Sequence, residues 1–131
     1  MKKKLTLLLV IFININYFCF AQAPEGNSKK AETALNAYLT KELALTPEEA
    51  EKFWPIYNSY SNEIRSAIKD YGNDQLKLEE KLLGIRKKYK NDFKKVLGTD
   101  ERVNNVFVSE KKFKEMLKEE LRERNKSGEP E

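Results

Sequence analysis

The chain of 131 residues carries one cysteine and no histidine, and 35% of its residues are charged. Without histidine it lacks the commonest general base of enzymes and a frequent zinc ligand. Its length fits one domain, and many charged residues with few glycines and prolines are typical of long amphipathic helices. The sequence shows no β-type alternation and no hairpin turn signal, so we predict an all-α fold.

Residues 1–21 have the pattern of a secretory signal peptide. Lysines at positions 2–4 precede the apolar residues 5–20, a run shorter than the ~20 residues that a membrane span requires. Cleavage is predicted after Ala21, with Ala23 as the alternative site and an uncleaved membrane anchor as the alternative interpretation. Export would remove Cys19 and the three signal lysines, which leaves the exported chain close to electrical balance.

Helices are predicted after a flexible lead-in over residues 22–28. The first is predicted over 29–43 and the second over Pro47–Tyr71, where apolar residues recur in steps of three and four. The apolar face of the second helix consists of Phe53, Tyr57, Tyr60, Ile64, Ala67, Ile68 and Tyr71.

A third helix is predicted over 74–97, after a turn at Gly72 and Asn73, and Gly98 ends it. Its apolar face consists of Leu78, Leu82, Ile85, Tyr89, Phe93 and Val96.

A fourth helix is predicted to begin at a cap formed by Thr99 or Asp100. Its apolar face consists of Val103, Val106, Phe113, Leu117 and Leu121. The helical domain is predicted to end at residue 124, and residues 125–131 are predicted to form a disordered tail.

The second helix begins with a distinct capping signal. Thr46 can cap the helix through its hydroxyl, and Pro47 takes the first helical position, where its missing N–H has no cost. Glu49 stands where a capping box requires an acidic side chain. Leu45, Thr46 and Glu49, followed by the aromatic stretch FWPIY, resemble the LTxxQ motif of the Spy/CpxP family of periplasmic helical proteins, with Glu in place of Gln.

A second copy of that motif is expected further along the chain. Leu97, Thr99 and Glu101 form its degenerate counterpart, with Gly98 inserted. Within the family, the chain is most similar to relatives described as periplasmic heavy-metal sensors or as sensors of extracytoplasmic sigma factors.

The resemblance implies long antiparallel helical hairpins of a hooked shape that pair into a cradle-shaped homodimer in the periplasm. A compact monomeric four-helix bundle is the alternative architecture. The implied function is that of an ATP-independent chaperone or envelope-stress adaptor that binds unfolded envelope proteins. A regulatory protein that binds a membrane sensor or an anti-sigma factor ectodomain is the alternative.

The predicted binding surface combines basic and aromatic residues. Pro55 should kink or break the second helix. Trp54 and Ile56 would then either be displayed on the surface or, in the interpretation we favour, pack against neighbouring helices. The third helix is strongly basic, and in the interpretation we favour this is a solvated face. The functional alternative is a positive surface with aromatic residues that would attract unfolded chains. The predicted surface consists of Trp54, Ile56, Arg86, Lys87, Lys88, Tyr89, Lys90, Phe93 and Lys94.

Glu110 interrupts the apolar face of the fourth helix, so we expect it to have a cationic partner or to be less buried than the pattern implies. A lone carboxylate without a second acid or a nucleophile serves no recognisable reaction, so we predict neither enzymatic activity nor a cofactor. Met116 is the only soft ligand in the exported chain, and we predict no metal. The balanced charge and the export signal also argue against a nucleic-acid partner.

Overall fold

The computed structural model describes residues 26–128, and within this range the chain folds into helices without strands, which confirms the all-α prediction. The helices are α1 (Gly26–Glu42), α2 (Pro47–Tyr71), α3 (Gln75–Leu97) and α4 (Asp100–Ser127). The predicted signal peptide, both cleavage sites and residues 129–131 lie outside the described residues.

Two predicted boundaries were wrong. The lead-in was predicted to reach residue 28, but α1 begins at Gly26. The tail was predicted to begin at Asn125, but α4 continues through Ser127. Helix α4 ends at Gly128, whose backbone is left-handed (φ 69°). The basic residues of its last turn, Arg124 and Lys126, interact favourably with the negative end of the helix dipole.

The helix starts follow the predicted capping chemistry. The Glu49 N–H donates to the Thr46 hydroxyl at 3.2 Å, and the Thr46 N–H donates to the Glu49 carboxylate at 3.1 Å, which confirms the capping box. Thr99 caps α4 by accepting from the N–H of Arg102 at 3.2 Å. Gly98 ends α3 with a positive φ of 85°, a conformation that glycine adopts without strain.

Neighbouring helices run in opposite directions along α2, α3 and α4. The ring of Phe53 near the start of α2 lies 5.4 Å from Phe93 near the end of α3, while Tyr60, further along α2, faces Tyr89 at 5.7 Å. Phe107 of α4 packs against Phe93 at 6.1 Å and against Tyr60 at 5.9 Å. The hooked shape and the homodimer remain predictions.

The core combines a cluster of aromatic rings from α2, α3 and α4 with buried aliphatic side chains. Its largest fully buried members are Phe53, Tyr60, Phe93, Leu39, Val103 and Val106. Ile68 and Leu121 were predicted to share the apolar faces but are about half exposed, at 47% and 50%.

Helix α2 runs through Pro55 without a break, and the alternative that was predicted, a kink, remains a prediction. Pro55 cannot donate to the carbonyl of Glu51, but both residues are exposed, so water can satisfy that oxygen. The Ser59 hydroxyl also donates to the Pro55 carbonyl at 3.1 Å.

The chain divides into two units, residues 1–32 and 33–131, and every contact discussed below lies in the second. Across the described range, no helix has both the length and the apolarity needed to cross a bilayer.

Candidate functional site

The structure separates the predicted basic and aromatic residues into two environments. Phe93 is fully buried and Tyr89 is 8% exposed, so the prediction that they lie on a binding surface was wrong. Both belong to the stripe of α3 that faces α2, where they contact Tyr60. Trp54 and Ile56 are half-buried and pack against the core, and the Trp54 ring meets Phe53 edge-on at 5.0 Å.

Most of the predicted basic residues have acidic partners. Lys88 lies 2.6 Å from Glu63, which also accepts a hydrogen bond from the Tyr89 hydroxyl at 2.7 Å. These two donors, Lys88 first, lower the pKa of Glu63, while the hydrogen bond to Glu63 and burial raise the pKa of Tyr89 to about 12.

Asp100 is the second acidic partner of the basic residues. Lys94 lies 2.8 Å and Lys90 3.3 Å from this carboxylate, and the two lysines lower its pKa. Lys87 has no carboxylate within ion-pair distance among the described residues.

One side of α3 faces solvent along its whole length, and we call it the outer α3 face. Its members recur in steps of three and four and are all exposed: Leu76, Glu80, Leu83, Lys87, Lys90 and Lys94. Leu76 is 80% exposed and Leu83 is 51% exposed, so two large apolar side chains stand in the same row as three lysines.

The motif residues meet at a junction of helix ends rather than on a binding surface. Arg102 forms a two-pronged ion pair with Glu49, at 2.6 and 2.9 Å. It also donates to the carbonyl of Leu43, just after α1, at 2.9 Å and to that of Leu97, at the end of α3, at 3.0 Å. One guanidinium therefore connects the ends of α1 and α3 with the starts of α2 and α4.

Sequence reasoning missed Arg102. The available signal was the repeated helix start, because Thr46 and Thr99 are both N-caps and the third helical positions carry opposite charges, Glu49 and Arg102. The ion pair and the Thr46 N–H lower the pKa of Glu49 to about 2. Of the other motif residues, Leu97 is buried, Leu45 is partly buried and Glu101 is exposed.

A second polar cluster surrounds Glu110, which is 5% exposed. Its carboxylate accepts a hydrogen bond from the Tyr60 hydroxyl at 2.9 Å and pairs with Lys114 at 3.1 Å, which confirms the expected cationic partner. Burial and then Glu110 raise the pKa of Tyr60, while Arg86 opposes the rise. The pKa of Tyr57 is also raised by burial and by Glu110, although its buried hydroxyl has no hydrogen-bond partner in the part of the chain that the structure describes.

A cavity of about 430 Å³ adjoins this cluster between α3 and α4. It is lined by Arg86, Asn104, Phe107, Val108, Glu110, Lys111 and Lys114. The buried Nε of Arg86 has no hydrogen-bond partner within residues 26–128. Within residues 26–128, acidic residues do not gather into a group that could hold a metal ion.

Comparisons of the chain with protein-family models, with curated proteins and with solved structures gave no match. The resemblance to the Spy/CpxP family therefore remains a prediction.

Proposed function

We propose that this chain is an exported binding protein that holds unfolded polypeptide segments without ATP, as a chaperone or envelope-stress adaptor of the Spy/CpxP type. The outer α3 face is its binding surface. The observation that carries the proposal is the exposure of Leu76 and Leu83 in one row with Lys87, Lys90 and Lys94. Soluble proteins that expose grouped apolar side chains commonly use them for binding.

The chemistry of this face suits extended chains with acidic and apolar residues. The lysines supply long-range attraction, and the leucines supply contact area once a segment has arrived. Lys90 and Lys94 are about half exposed and share Asp100, so their ion pairs are weak and can be replaced by a carboxylate of the bound segment. Lys87 is available without breaking any pair among the described residues.

The test is suppression of aggregation, measured by light scattering. Residues 22–131 are mixed without ATP with two unrelated aggregating proteins, from substoichiometric to equimolar ratios. We expect suppression of both, weakened by added salt, by Lys87→Glu and by the double change Leu76→Ser with Leu83→Ser.

The matched controls lie on α4, away from the outer α3 face. Leu121 has the same exposure as Leu83, so Leu121→Ser controls for loss of an exposed leucine, and Lys118→Glu controls for charge reversal on an exposed lysine. Equal losses in control and outer-face variants would contradict the assigned surface. Absence of suppression by a protein with a helical circular dichroism spectrum would overturn the proposal and direct the search to a single membrane-sensor or anti-sigma factor partner.

A further inference from the structure

We propose that the cavity between α3 and α4 is a binding site for a small aliphatic carboxylate. The site is separate from the outer α3 face and does not depend on the function proposed for that face. It is built on Arg86, Lys111 and Lys114, with Phe107 and Val108 as its apolar part.

The first argument is charge. Three cationic side chains and one carboxylate line the cavity, and Glu110 is already satisfied by Lys114 and the Tyr60 hydroxyl. Among the described residues, the ion-pair partner of Lys111 is Glu115, at 4.0 Å. Both side chains are largely exposed, so that pair is weak. Arg86 and Lys111 therefore leave the cavity with excess positive charge, which a bound carboxylate would partly neutralise.

The second argument is the state of Arg86. Among the described residues, its buried Nε has no acceptor and no carboxylate lies within ion-pair distance of its guanidinium, whose polar neighbour is the Tyr60 hydroxyl. Buried donors in folded proteins are nearly always paired, and an unpaired one calls for a partner from outside the chain. A guanidinium matches the planar carboxylate group with two parallel hydrogen bonds.

The third argument is size and apolar lining. A cavity of about 430 Å³ falls in the range of small-molecule sites. It is much larger than the volume of about 30 Å³ that one water takes in the liquid. Phe107 is anchored in the core by its contacts with Tyr60 and Phe93, so it offers a fixed apolar wall. The Glu110 carboxylate beside the cationic groups disfavours a doubly charged phosphate more than a singly charged carboxylate.

The experiment is an NMR titration of the purified protein with sodium hexanoate, sodium acetate and sodium phosphate at constant ionic strength. We expect saturable shifts of the Phe107 and Val108 resonances. Hexanoate should bind at least about tenfold more tightly than acetate, because its added methylenes contact Phe107 and Val108. Arg86→Gln should weaken hexanoate binding about tenfold or more, because the variant loses a charge-assisted hydrogen bond and such a bond contributes about that factor to an affinity.

Two further variants keep the test decisive if Arg86→Gln alters the fold. Lys111→Gln changes an exposed lining residue and should weaken binding, whereas Lys112→Gln changes an exposed lysine outside the lining and should leave the Kd within about twofold. Absence of saturation, equal affinity for acetate and hexanoate, tighter binding of phosphate, or equal effects of Lys111→Gln and Lys112→Gln would each overturn the proposal.

Discussion

Glu49 shows how one side chain serves local and long-range structure at once. It completes the capping box of α2, and its carboxylate also holds Arg102 of α4, which in turn donates to the carbonyls of Leu43 and Leu97. The ion pair is only partly exposed, at 30% for the Arg102 side chain and 23% for that of Glu49. Shielding of this kind makes the pair stronger than the exposed pairs of α4.

The lowered pKa of Glu49 predicts acid sensitivity. Its pKa falls from 4.5 to about 2 on folding, mainly through the hydrogen bond from Arg102 and then that from the Thr46 N–H. Because the folded pKa lies below the unfolded value, the carboxylate stabilises the fold above pH 4.5, and this stabilisation is lost as the pH falls toward 2.

Urea unfolding of the wild type and of Glu49→Gln at several pH values measures this effect. The variant should be less stable at neutral pH and should lose less of its free energy of unfolding between pH 4.5 and 2. Glu101→Gln, an exposed neighbour in the first turn of α4, should keep the wild-type slope. Parallel pH profiles for the wild type and Glu49→Gln would contradict the role given to the pair.

At the level of elements, the turn after α1 contains a strained residue. Ala44 has a positive φ of 47°, and the hydrogen bonds from Ala44 to Lys41 and from Leu45 to Thr40 hold it there. This is the position at a helix end where glycine is usually found, since a side chain in the left-handed region costs about 1–2 kcal/mol.

Ala44→Gly should therefore stabilise the protein by about 0.5–1 kcal/mol, after the greater entropy of glycine in the unfolded chain is subtracted. Ala44 is exposed, so no packing is lost. Ala37→Gly, at an exposed position inside α1, should destabilise by about 1 kcal/mol. Thermal unfolding measures both, and destabilisation by Ala44→Gly would refute the assigned strain.

Pro55 is the second element-scale test. Proline in a helix interior is about 3 kcal/mol less favourable than alanine, partly offset because it restricts the unfolded chain. Pro55 is exposed, so Pro55→Ala should stabilise α2 by about 2 kcal/mol. The control Asn58→Ala, at another exposed position of α2, should change stability by less than about 0.7 kcal/mol in urea titrations. A loss of stability in Pro55→Ala would mean that the proline is required for the shape of α2.

The helices were predictable because their signals are local. Thr46, Thr99 and Gly98 act on backbone groups within a few residues, and the steps of three and four placed Phe53 and Tyr60 in the core correctly. The continuity of α2 through Pro55 could not be predicted in this way, because it depends on the exposure of Pro55 and Glu51 in the folded protein and no local pattern encodes that exposure.

For the whole molecule, the candidate site was less predictable than the fold. The periodicity of α3 placed Tyr89 and Phe93 on its apolar face, while the basic character of the same helix suggested a binding surface. Only the position of α2 in the structure shows that both aromatic rings belong to the core. The cavity at Arg86 joins residues far apart in sequence, so it could not be derived from spacing. At the Arg102 junction the repeated helix start indicates only the opposite charges of Glu49 and Arg102, and the hydrogen bonds that Arg102 donates to backbone carbonyls could not be derived from it.

The fold therefore predicts that stability and binding reside on opposite sides of α3. The Phe93 ring contacts Phe53, Tyr60 and Phe107, so it links α2, α3 and α4. Phe93→Ala should destabilise the protein by about 3–5 kcal/mol, whereas Leu83→Ser, at a half-exposed position on the outer α3 face, should cost about 0.5 kcal/mol.

Aggregation suppression should depend on the two positions in the reverse order, with a larger loss for a change at Leu83 than for a change at Phe93 that leaves the protein folded. Phe93→Leu keeps the core apolar and should cost about 1.5 kcal/mol or less, so the variant stays folded at low temperature and should suppress aggregation as well as the wild type does. Leu83→Ser should keep its unfolding curve near that of the wild type and suppress aggregation less well than the wild type does. Circular dichroism confirms the folded fraction in each sample before light scattering is measured. If Phe93→Leu lost suppression while fully folded, the aromatic core would have to open to bind its partner, and the outer α3 face would not be the binding surface.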